Sequence, residues 1–558
     1  WLSLLHNNDG ESRLTPATAT PDEGGAARFT SVVNALRADA ERRGGANAAG
    51  AVTVSSGDNF LAGPEFNASL TKGSLPFYDS IFLSRVGYDA LAIGNHEFDF
   101  GPDILADVIE GATGTGPWIS ANLDVTGEPR LDDLRRRGRI AASTVVDIDG
   151  RKVGIVGATT PRLSSISSPG RVTVGDVATA VRSEVASLRG RGVEIIVLSS
   201  HLQSIEEDVA LAGYLDDVDI MIAGGGDELL ANPDDLLQPS DAALAATARP
   251  YPVEARDAAG RTIPVVTTSG DLRYVGRLIA GFDANGNLVR VNEESGPVRV
   301  IGGTAADAAP ADPFVQANVT DPVEESKEAL ALNRLADTEV QLDGRRGPGV
   351  RTQETNLGNL VADAMMFAGR RVAADNGLPA PQIAFHNGGG IRNNNLLPGD
   401  LSAGVTELDT FSIAPFTNFV AVIPEITREQ LKDTLEHSVS NVEQVDGRFL
   451  QFSGLRIVWD PTKPVGSRIV RAVLDSGEEL IGNGRVRPGA AITAATVDFT
   501  AAGGDGFSTL ASLPFHRSTV FAQAALRDYL STPVAQGGLG GHITAAQYPE
   551  VPSPGDGV

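Results

Sequence analysis

The sequence predicts a mixed α/β protein, and the pattern of its first 280 residues is the main evidence. Short runs of Val, Ile, Leu and Ala recur there, with helix-like segments between them. These runs are WLSLLHNND (1–9), AVTVSSGD (51–58), DALAIGNHE (89–97), KVGIVGATT (152–160), EIIVLSSH (194–201), DIMIAGGGDE (219–228) and IPVVTTSGD (263–271). Apolar runs without alternation are typical of strands buried on both faces of a layered sheet. Between them, residues 26–43 and 174–190 each keep one apolar face at the helical spacing.

Most of these runs end in carboxylate, amide or imidazole side chains. In open α/β sheets, ligands bind outside the carboxyl ends of the strands, so five such ends predict one multi-ligand site. Two divalent metals that share a carboxylate suit in-line displacement at phosphorus, and they need ligands of this kind. The candidate metal ligands are Asp9, Glu11, Asp58, Asn95, His201 and Glu228.

The segment NHEFD adds a pair of a different kind, His96 and Asp99, three residues apart. A histidine that protonates a leaving oxygen works best when a carboxylate orients its other ring nitrogen. Taken alone, such a pair is more often a surface contact, and His201 alone could be a structural histidine. The occurrence of all these groups in strand-end order favours a catalytic site.

Length, charge and cysteine content narrow the possible functions. A chain of 558 residues is too long for one ordinary core, so two or more domains are expected. The formal charge of 45 minus 71, or −26, disfavours nucleic acid as a partner. The absence of cysteine excludes disulfides and thiolate zinc sites. No apolar run is long enough to predict a transmembrane segment.

The composition also predicts a secreted or periplasmic location, with a cytoplasmic enzyme as the alternative. The chain is acidic and free of cysteine, and it begins at Trp1 rather than Met, which a removed signal peptide would explain.

The predicted boundaries are a first domain over 1–321, a connecting helix over 322–337, a second domain over 338–540 and a tail over 541–558. The connecting segment begins with Pro and acidic residues and ends in Arg, which matches the polarity of a helix. In the second domain, Thr427 and Gln430 form a possible capping box at the start of a helix over 427–441.

The second domain carries glycine-rich turns in FHNGGGIRNN (385–394) and DFTAAGGDGF (498–507). Such turns let backbone N–H groups approach a ligand closely. Arg351 and Arg392 can each fork onto phosphate oxygens.

Aromatic and acidic side chains near these turns are candidates for binding a nucleoside. Phe416 and Phe499 could sandwich a flat base, and stacking contributes roughly 1–3 kcal/mol per base. Asp505 could accept hydrogen bonds from ribose hydroxyls. Each phenylalanine taken singly is more often a core residue.

The order of these motifs resembles the calcineurin-like metallophosphoesterases, and within them the 5′-nucleotidase family. In the first domain the matching segments are NND (7–9), SGDN (56–59), GNHEFD (94–99), SHLQ (200–203) and GGGDE (224–228). NGGGIR and GGDGF resemble the family's C-terminal domain, and the likeness covers roughly residues 1–535. It implies a four-layer metallophosphoesterase β-sandwich flanked by helices, joined by a helix to a second, substrate-binding α/β domain.

The resemblance also implies roles for individual residues. Asp58 would bridge two metals, Asn95 and His201 would serve one of them, and Asp9 the other. His96 and Asp99 would be the catalytic dyad. In the second domain the implied contacts are Arg351, Asn387 and Arg392 for phosphate and nearby sugar, Phe416 and Phe499 for the base, and Asp505 for the ribose.

Three positions depart from the family pattern. Glu11 and Gly226 stand where the family has histidine, and Glu228 stands where it has His or Gln. The donor set therefore becomes rich in oxygen, which favours Ca²⁺, Mg²⁺ or Mn²⁺ in at least one of two divalent sites. Zn²⁺ remains possible at the His201 site, and Asp227 could replace the missing imidazole.

The resemblance implies a phosphoric monoester hydrolase that converts nucleoside 5′-monophosphates such as AMP into nucleoside and phosphate, with attack by a hydroxide between the metals. One alternative is a broad-specificity phosphatase or cyclic-nucleotide phosphodiesterase. Another is a nucleotide-binding protein with a decayed metal site, since Glu11 and Gly226 replace ligands. The expected partner is a small nucleotide, and the expected state is a monomer or homodimer.

Overall fold

The computed structural model describes residues 1–17, 20–44, 50–226, 228–416 and 418–550. Asp227 therefore lies outside the described residues. The chain forms two compact units, Trp1–Ser326 and Lys327–Val558. Within the described ranges, no helix is both long and apolar enough to cross a membrane.

The described part of the first unit contains sixteen strands. They are β1 (Leu2–Asn7), β2 (Gly50–Ser55), β3 (Ala90–Ala92), β4 (Trp118–Ile119), β5 (Leu123–Asp124), β6 (Ile140–Ala141), β7 (Ser143–Ile148), β8 (Arg151–Thr159), β9 (Thr173–Val174), β10 (Ile195–His201), β11 (Ile220–Gly224), β12 (Val253–Arg256), β13 (Thr262–Val266), β14 (Tyr274–Phe282), β15 (Leu288–Val291) and β16 (Gly296–Arg299). All seven apolar runs of the sequence are strands, namely β1, β2, β3, β8, β10, β11 and β13.

The helices of this part of the chain are α1 (Ala26–Gly44), α2 (Pro64–Thr71), α3 (Tyr78–Val86), α4 (Gly101–Gly111), α5 (Pro129–Arg136), α6 (Leu163–Ile166), α7 (Val177–Gly190), α8 (Ile205–Ala212), α9 (Pro313–Val315) and α10 (Asp321–Leu332). The two predicted amphipathic helices correspond to α1 and α7.

Two sheets are stacked in the first unit. One has the order β15-β14-β1-β2-β3-β4-β6, with β16 also paired to β14, and β1 to β4 and β6 run parallel. The other has the order β12-β13-β11-β10-β8-β7, with a parallel centre of β8, β10, β11 and β13. Central strands of this kind are buried on both faces, which explains their continuous apolar sequence.

Two apolar cores separate the layers. Leu4 of β1 lies in the core between the sheets, whereas its neighbour Leu5 lies in the core between the first sheet and helices α1 to α5. Successive side chains of a strand point to opposite faces, so one strand serves both cores. Helices α7 and α8 cover the second sheet. The resulting order is helices, sheet, sheet, helices, and the predicted four-layer sandwich is confirmed.

The second unit contains β17 (Arg334–Thr338), β18 (Leu342–Asp343), β19 (Ile383–Asn387), β20 (Leu396–Leu397), β21 (Val405–Thr406), β22 (Phe419–Ile426), β23 (Leu450–Ser453), β24 (Leu455–Trp459), β25 (Ile469–Leu474), β26 (Glu479–Gly482), β27 (Arg485–Val486), β28 (Ile492–Val497), β29 (His516–Phe521) and β30 (His542–Ile543). Its helices are α11 (Asn356–Asp375), α12 (Glu407–Ile413), α13 (Arg428–Ser438), α14 (Asp498–Ala501), α15 (Ser508–Ala511) and α16 (Ala522–Ser531).

The central sheet of the second unit has the order β23-β19-β28-β22-β29 and lies between two cores. Ala384 of β19 belongs to the core with α11 and α16, and its neighbour Phe385 belongs to the core with α13. The predicted capping box is present at α13, where the Thr427 hydroxyl accepts from the Gln430 amide and the Gln430 side chain accepts from the Thr427 amide.

The structure differs from two predicted boundaries. The helix expected over 322–337 ends at Leu332, and Arg334–Thr338 is a strand that pairs with β21 and β30. These partners are distant in sequence, and local helix polarity cannot reveal them. The tail expected from 541 is ordered through its first half, because β30 pairs with β17 and the Tyr548 hydroxyl donates to Asp363 at 2.7 Å. Residues 551–558 lie outside the described part.

Candidate active site

The strands β1, β2 and β10 bring three predicted metal ligands together at their carboxyl ends. Asp9, Asp58 and His201 are buried, and each offers one ligand atom within 4.8 Å of the others. Asp9 and Asp58 follow their strands closely, and His201 is the last residue of its strand. The predicted convergence is therefore observed for three of the five predicted ligands that carry a carboxylate or an imidazole.

The chemistry of this group fits a metal ion. The His201 Nδ1 donates to the Ser56 carbonyl at 2.7 Å, which leaves Nε2 directed at the Asp58 carboxylate, 2.9 Å away. A proton on Nε2 would satisfy this contact, and a metal ion ligated by both atoms could take the place of that proton. Burial lowers the pKa of His201, but the Asp58 carboxylate outweighs it and raises the pKa to about 10. Burial also raises the pKa of Asp9 well above its usual range. A divalent cation would stabilise the buried carboxylates of Asp9 and Asp58 in their charged form and would replace the proton on His201.

Glycines leave room for the His201 ring. A Cβ atom on Gly57 would lie 2.6 Å from the His201 Nδ1, and one on Gly224 would lie 2.2 Å from the Ser56 carbonyl oxygen. Gly57 also has a φ of +91°, which favours glycine. Gly57 of the SGD segment and Gly224 of the GGG segment are therefore required by close packing around the imidazole and the Ser56 carbonyl.

Glu97 holds the Asp58 loop in place. Its buried carboxylate accepts from the backbone amides of Asp58 (3.0 Å), Gly94 (2.7 Å) and Asn59 (2.7 Å), and from the Asn59 side chain (3.0 Å). This side chain thus ties together the loops that follow β2 and β3. Glu97 is not among the predicted site residues, although its place inside GNHEFD is a signal that could have found it.

Asn8 has a similar role beside Asp9. Its side-chain amide donates to Asp9 Oδ2 at 2.6 Å and to the carbonyls of Thr268 (2.9 Å) and Gly226 (3.2 Å). Its carbonyl accepts from the Thr268 amide at 2.8 Å. Asn8 therefore fixes one Asp9 oxygen relative to the loop after β11. The sequence predicts Asp9 but not this partner.

The predicted His–Asp pair is formed. The His96 Nδ1 lies 2.6 Å from Asp99 Oδ2, and the other Asp99 oxygen accepts from the Ser167 hydroxyl at 2.9 Å. The His96 Nε2 lies 4.0 Å from Asp58 Oδ2, so the pair borders the ligand group. Burial lowers the pKa of His96, but the carboxylates of Asp99 and Asp58 outweigh it and raise the pKa to about 10. The imidazole can therefore carry a proton beside the ligand group.

Asn95 is buried, and its Oδ1 accepts from the side-chain amide of Gln203. Gln203 has a φ of +116°, which is unusual for a residue with a side chain. It belongs to the SHLQ segment but is not a predicted site residue.

The two glutamates that replace family residues are placed differently. Among the described residues, the converging group includes neither Glu11 nor Glu228. Glu11 is half-buried, and its charge contributes to the raised pKa of Asp9, which burial causes in the main. The Glu228 carboxylate accepts from the Ile205 amide at 3.3 Å, at the start of α8. It also fills the space beside Gly226, where a Cβ would lie 2.1 Å from Glu228 Oε2.

In the second unit, the two glycine-rich turns meet at Asn387 and Asp505. The Asn387 amide donates to Asp505 Oδ2 at 2.6 Å. A Cβ on Gly389 would lie 3.1 Å from the Gly447 Cα and 3.4 Å from the Asp505 carboxylate. Burial raises the pKa of Asp505 to about 6. The side chains of Asn387 and Asp505, which are predicted to contact the sugar, are therefore hydrogen-bonded to each other beside closely packed glycines.

Arg351 is buried beside other cations. Burial, together with the charges of Arg346 and Arg392, lowers its pKa to about 9. Within the described residues its Nε has no hydrogen-bond partner. A cluster of guanidinium groups of this kind suits an anion such as phosphate. Arg346 is not a predicted site residue. It stands next to Arg345 in GRRGPG, and the sequence of that segment does not indicate which of the two arginines lies near Arg351.

The two predicted aromatic residues have distinct surroundings. The Arg392 guanidinium lies 5.5 Å from the centre of the Phe416 ring. Phe499 packs partly against the core with α11, and a Cβ on Gly504 would lie 2.5 Å from its ring. Phe416 therefore lies beside a predicted phosphate contact, Phe499 lies beside the residue that precedes Asp505, and neither ring is fully buried.

A buried carboxylate–imidazole group at the strand ends of a four-layer sandwich, bordered by a His–Asp pair, defines a phosphoesterase-type site. The family model described as "5′-nucleotidase, C-terminal domain" matches residues 334–512. The crystal structure of a 5′-nucleotidase precursor from Thermus thermophilus is 31% identical, covers 97% of this chain and 99% of its own, and has a TM-score of 0.73.

Curated nucleotide phosphoesterases are also similar to this chain over most of its length. A 5′-nucleotidase from Diplobatis ommata is 29% identical over 521 residues, which are 91% of this chain and 83% of that protein. The trifunctional nucleotide phosphoesterase protein YfkN of Bacillus subtilis is 27% identical over 540 residues, and the chain spans about a third (32%) of its length. The chain belongs to the 5′-nucleotidase family of phosphoesterase enzymes.

Proposed function

We propose that this enzyme hydrolyses the phosphate ester of nucleoside 5′-monophosphates such as AMP, releasing nucleoside and phosphate. The observation that carries the proposal is the placement of the His96–Asp99 pair beside the buried ligand group, with the His96 Nε2 4.0 Å from Asp58 Oδ2. The names of the related proteins support the choice of nucleotides as the substrate class.

Asp9, Asp58 and His201 would hold a divalent metal ion, and Glu11, Asn95 and Glu228 are the proposed further ligands. When bound, such an ion supplies polarisation of phosphoryl oxygens and a nucleophilic water at neutral pH. Five of the six proposed ligands offer oxygen and one offers nitrogen, so we propose two ions of which at least one is Mn²⁺, Mg²⁺ or Ca²⁺. Zn²⁺ at the His201 position is the alternative that a metal titration separates.

His96 would donate a proton to the departing 5′-oxygen. Asp99 holds the ring by its Nδ1, and Ser167 holds Asp99, so Nε2 is the ring nitrogen on the side of the ligand group. General acid catalysis of this kind contributes roughly 10²–10⁴-fold to rate.

The nucleotide-recognising groups are proposed on the second unit. The buried cation at Arg351, with Arg392 and Asn387, would bind phosphate and nearby sugar oxygens. Phe416 and Phe499 would stack on the base, and Asp505 would accept from the ribose hydroxyls.

The test is phosphate release from AMP by metal-stripped protein, refilled in parallel with Mn²⁺, Mg²⁺, Ca²⁺ and Zn²⁺. Activity restored best by one of the first three would support both the reaction and the oxygen-rich site. Restoration by Zn²⁺ alone would support the proposed reaction but would contradict the assignment of Mn²⁺, Mg²⁺ or Ca²⁺ to the site. The same protein assayed with an aryl phosphate and with cyclic AMP distinguishes a nucleotidase from a broad phosphatase or a phosphodiesterase.

We also propose a location outside the cytoplasm, supported by the acidic, cysteine-free composition. This proposal would be contradicted if the protein were found only in the cytoplasmic fraction of its native cells. Sedimentation equilibrium of the purified chain would separate the two expected states, monomer and homodimer.

A further inference from the structure

Gln203 occupies a strained position at the edge of the metal-ligand group. It lies between His201, which ends β10, and Ser204, which caps α8. Its φ of +116° is outside the range that residues with side chains normally adopt. Strain of this kind persists only where the surrounding structure enforces it, and it is common at functional sites.

The Gln203 side chain reaches the predicted ligand Asn95. Its Nε2 donates to Asn95 Oδ1, and within the described residues no other hydrogen bond is made by the Asn95 side chain. The backbone of Gln203 is also close to the imidazole, because a Cβ on Gly225 would lie 2.8 Å from the Gln203 Cα and 3.0 Å from the His201 Nε2. Gln203 therefore contacts one proposed ligand, Asn95, and its backbone lies close to a second, His201.

The two ends of the Asn95 amide differ in what they can bind. The oxygen can ligate a cation, whereas the NH₂ group cannot. A donor placed on the oxygen keeps one of its lone pairs available and prevents the amide from rotating by 180°. Partners of metal ligands act in this way, and their removal typically weakens metal binding about 10–100-fold.

We infer that Gln203 is a positioning residue that fixes the Asn95 amide with its oxygen available to a metal ion, in a site where Gly226 can supply no side-chain ligand. This inference rests on the proposed function, in which Asn95 is a ligand. It explains why a residue with a long side chain is kept at a φ that glycine would adopt without strain.

The first experiment compares the wild-type chain with Gln203→Gly. Affinity for Mn²⁺ is measured by competition with a chromophoric chelator, and thermal unfolding is measured on the metal-free protein. We expect Mn²⁺ affinity to fall about 10–100-fold. The unfolding midpoint should stay equal or rise, because glycine adopts this φ freely. A general structural role for Gln203 would instead lower the midpoint.

Asp149→Gly is the matched control. Asp149 also has a positive φ, of +50°, and lies in the exposed turn between β7 and β8. This variant should leave Mn²⁺ affinity unchanged. A second variant, Gln203→Asn, keeps an amide that tolerates positive φ but is one methylene too short, and it should lose affinity as Gln203→Gly does.

A second comparison uses the background Asn95→Asp. A carboxylate has two equivalent oxygens and needs no partner to select one of them. In this background, Gln203→Gly should change Mn²⁺ affinity less than about threefold. A persistent loss of about tenfold or more would overturn the inference, because Gln203 would then act on another ligand.

The two failures can be told apart. Unchanged affinity in Gln203→Gly, with Mn²⁺ bound by the wild-type chain, would overturn the role of Gln203 alone. Wild-type protein that binds no divalent ion would overturn the proposed metal-dependent function, and the role of Gln203 with it.

Discussion

Glu97 offers the sharpest test of how the site is held together. Its buried carboxylate accepts four N–H groups, two at each oxygen, from Asp58, Gly94 and Asn59. The change Glu97→Gln keeps size and shape but turns one oxygen into an NH₂ group. Whichever way the new amide is oriented, two of the four donors lose their acceptor and face another donor.

The cost follows from the number of bonds lost. A buried donor left without a partner costs about 1–3 kcal/mol, so two donors cost roughly 2–6 kcal/mol. That is a large part of the 5–15 kcal/mol, roughly, by which a domain is normally stable. Because burial raises the pKa of Glu97 to about 7, the wild-type carboxylate should be compared at pH 8, where it is ionised.

Two measurements check this expectation. Urea denaturation at pH 8 gives the loss in the free energy of unfolding, and hydrogen exchange over residues 52–60 and 91–100 shows whether the loss is local to the two loops. Glu206→Gln is the control, since Glu206 is a surface residue of the same unit, 68% exposed at its side chain, and its change should stay within about 0.5 kcal/mol. Wild-type stability and exchange in Glu97→Gln would refute the assigned role.

Three further outcomes are expected. His96→Ala should lower AMP turnover roughly 10²–10⁴-fold with metal content unchanged, and near-normal turnover would remove His96 from the mechanism. Phe416→Ala and Phe499→Ala should each weaken AMP binding by about 1–3 kcal/mol and leave an aryl phosphate nearly unaffected; equal losses on both substrates would argue against base stacking. Burial raises the pKa of Asp505 to about 6 from an ordinary value near 4. Its contribution to stability is therefore present below about pH 4 and is lost as the pH rises through about 6. Asp505→Asn should flatten this part of the curve of unfolding free energy against pH, and a curve identical to wild type would contradict the shift.

The strands were predictable because their signal is local. Runs such as KVGIVGATT carry enough apolar residues to require burial on both faces, wherever the partner strands lie. The strand Arg334–Thr338 has no such run, and it exists because Val405 and His542 lie beside it. Pairing between distant segments is decided by the tertiary structure, so the predicted helix continued five residues too far.

The proposed metal ligands were likewise easier to predict from the sequence than the groups that hold them in place. Asp58 and His201 stand at strand ends, and the residue types alone suggest a metal site. Glu97 and Asn8 have the same residue types as many surface positions, and their importance lies in which backbone amides and carbonyls they contact. Those contacts depend on the turn geometry of two loops, which composition and spacing do not specify.

Backbone strain is shared by three proposed metal ligands and by Gln203, which contacts a fourth. Asp9, Glu11, Asp58 and Gln203 all have positive φ, between +47° and +116°, and all lie just after strands of the first unit. Each such residue costs roughly 1–3 kcal/mol at most, so the four together approach the net stability of an ordinary domain. The fully buried strands before them and the hydrogen bonds of Glu97 must offset that cost. A loop free to relax would move Asp58 away from His201, so the rigid parallel strands and the buried Glu97 carboxylate are needed to hold these loops in place.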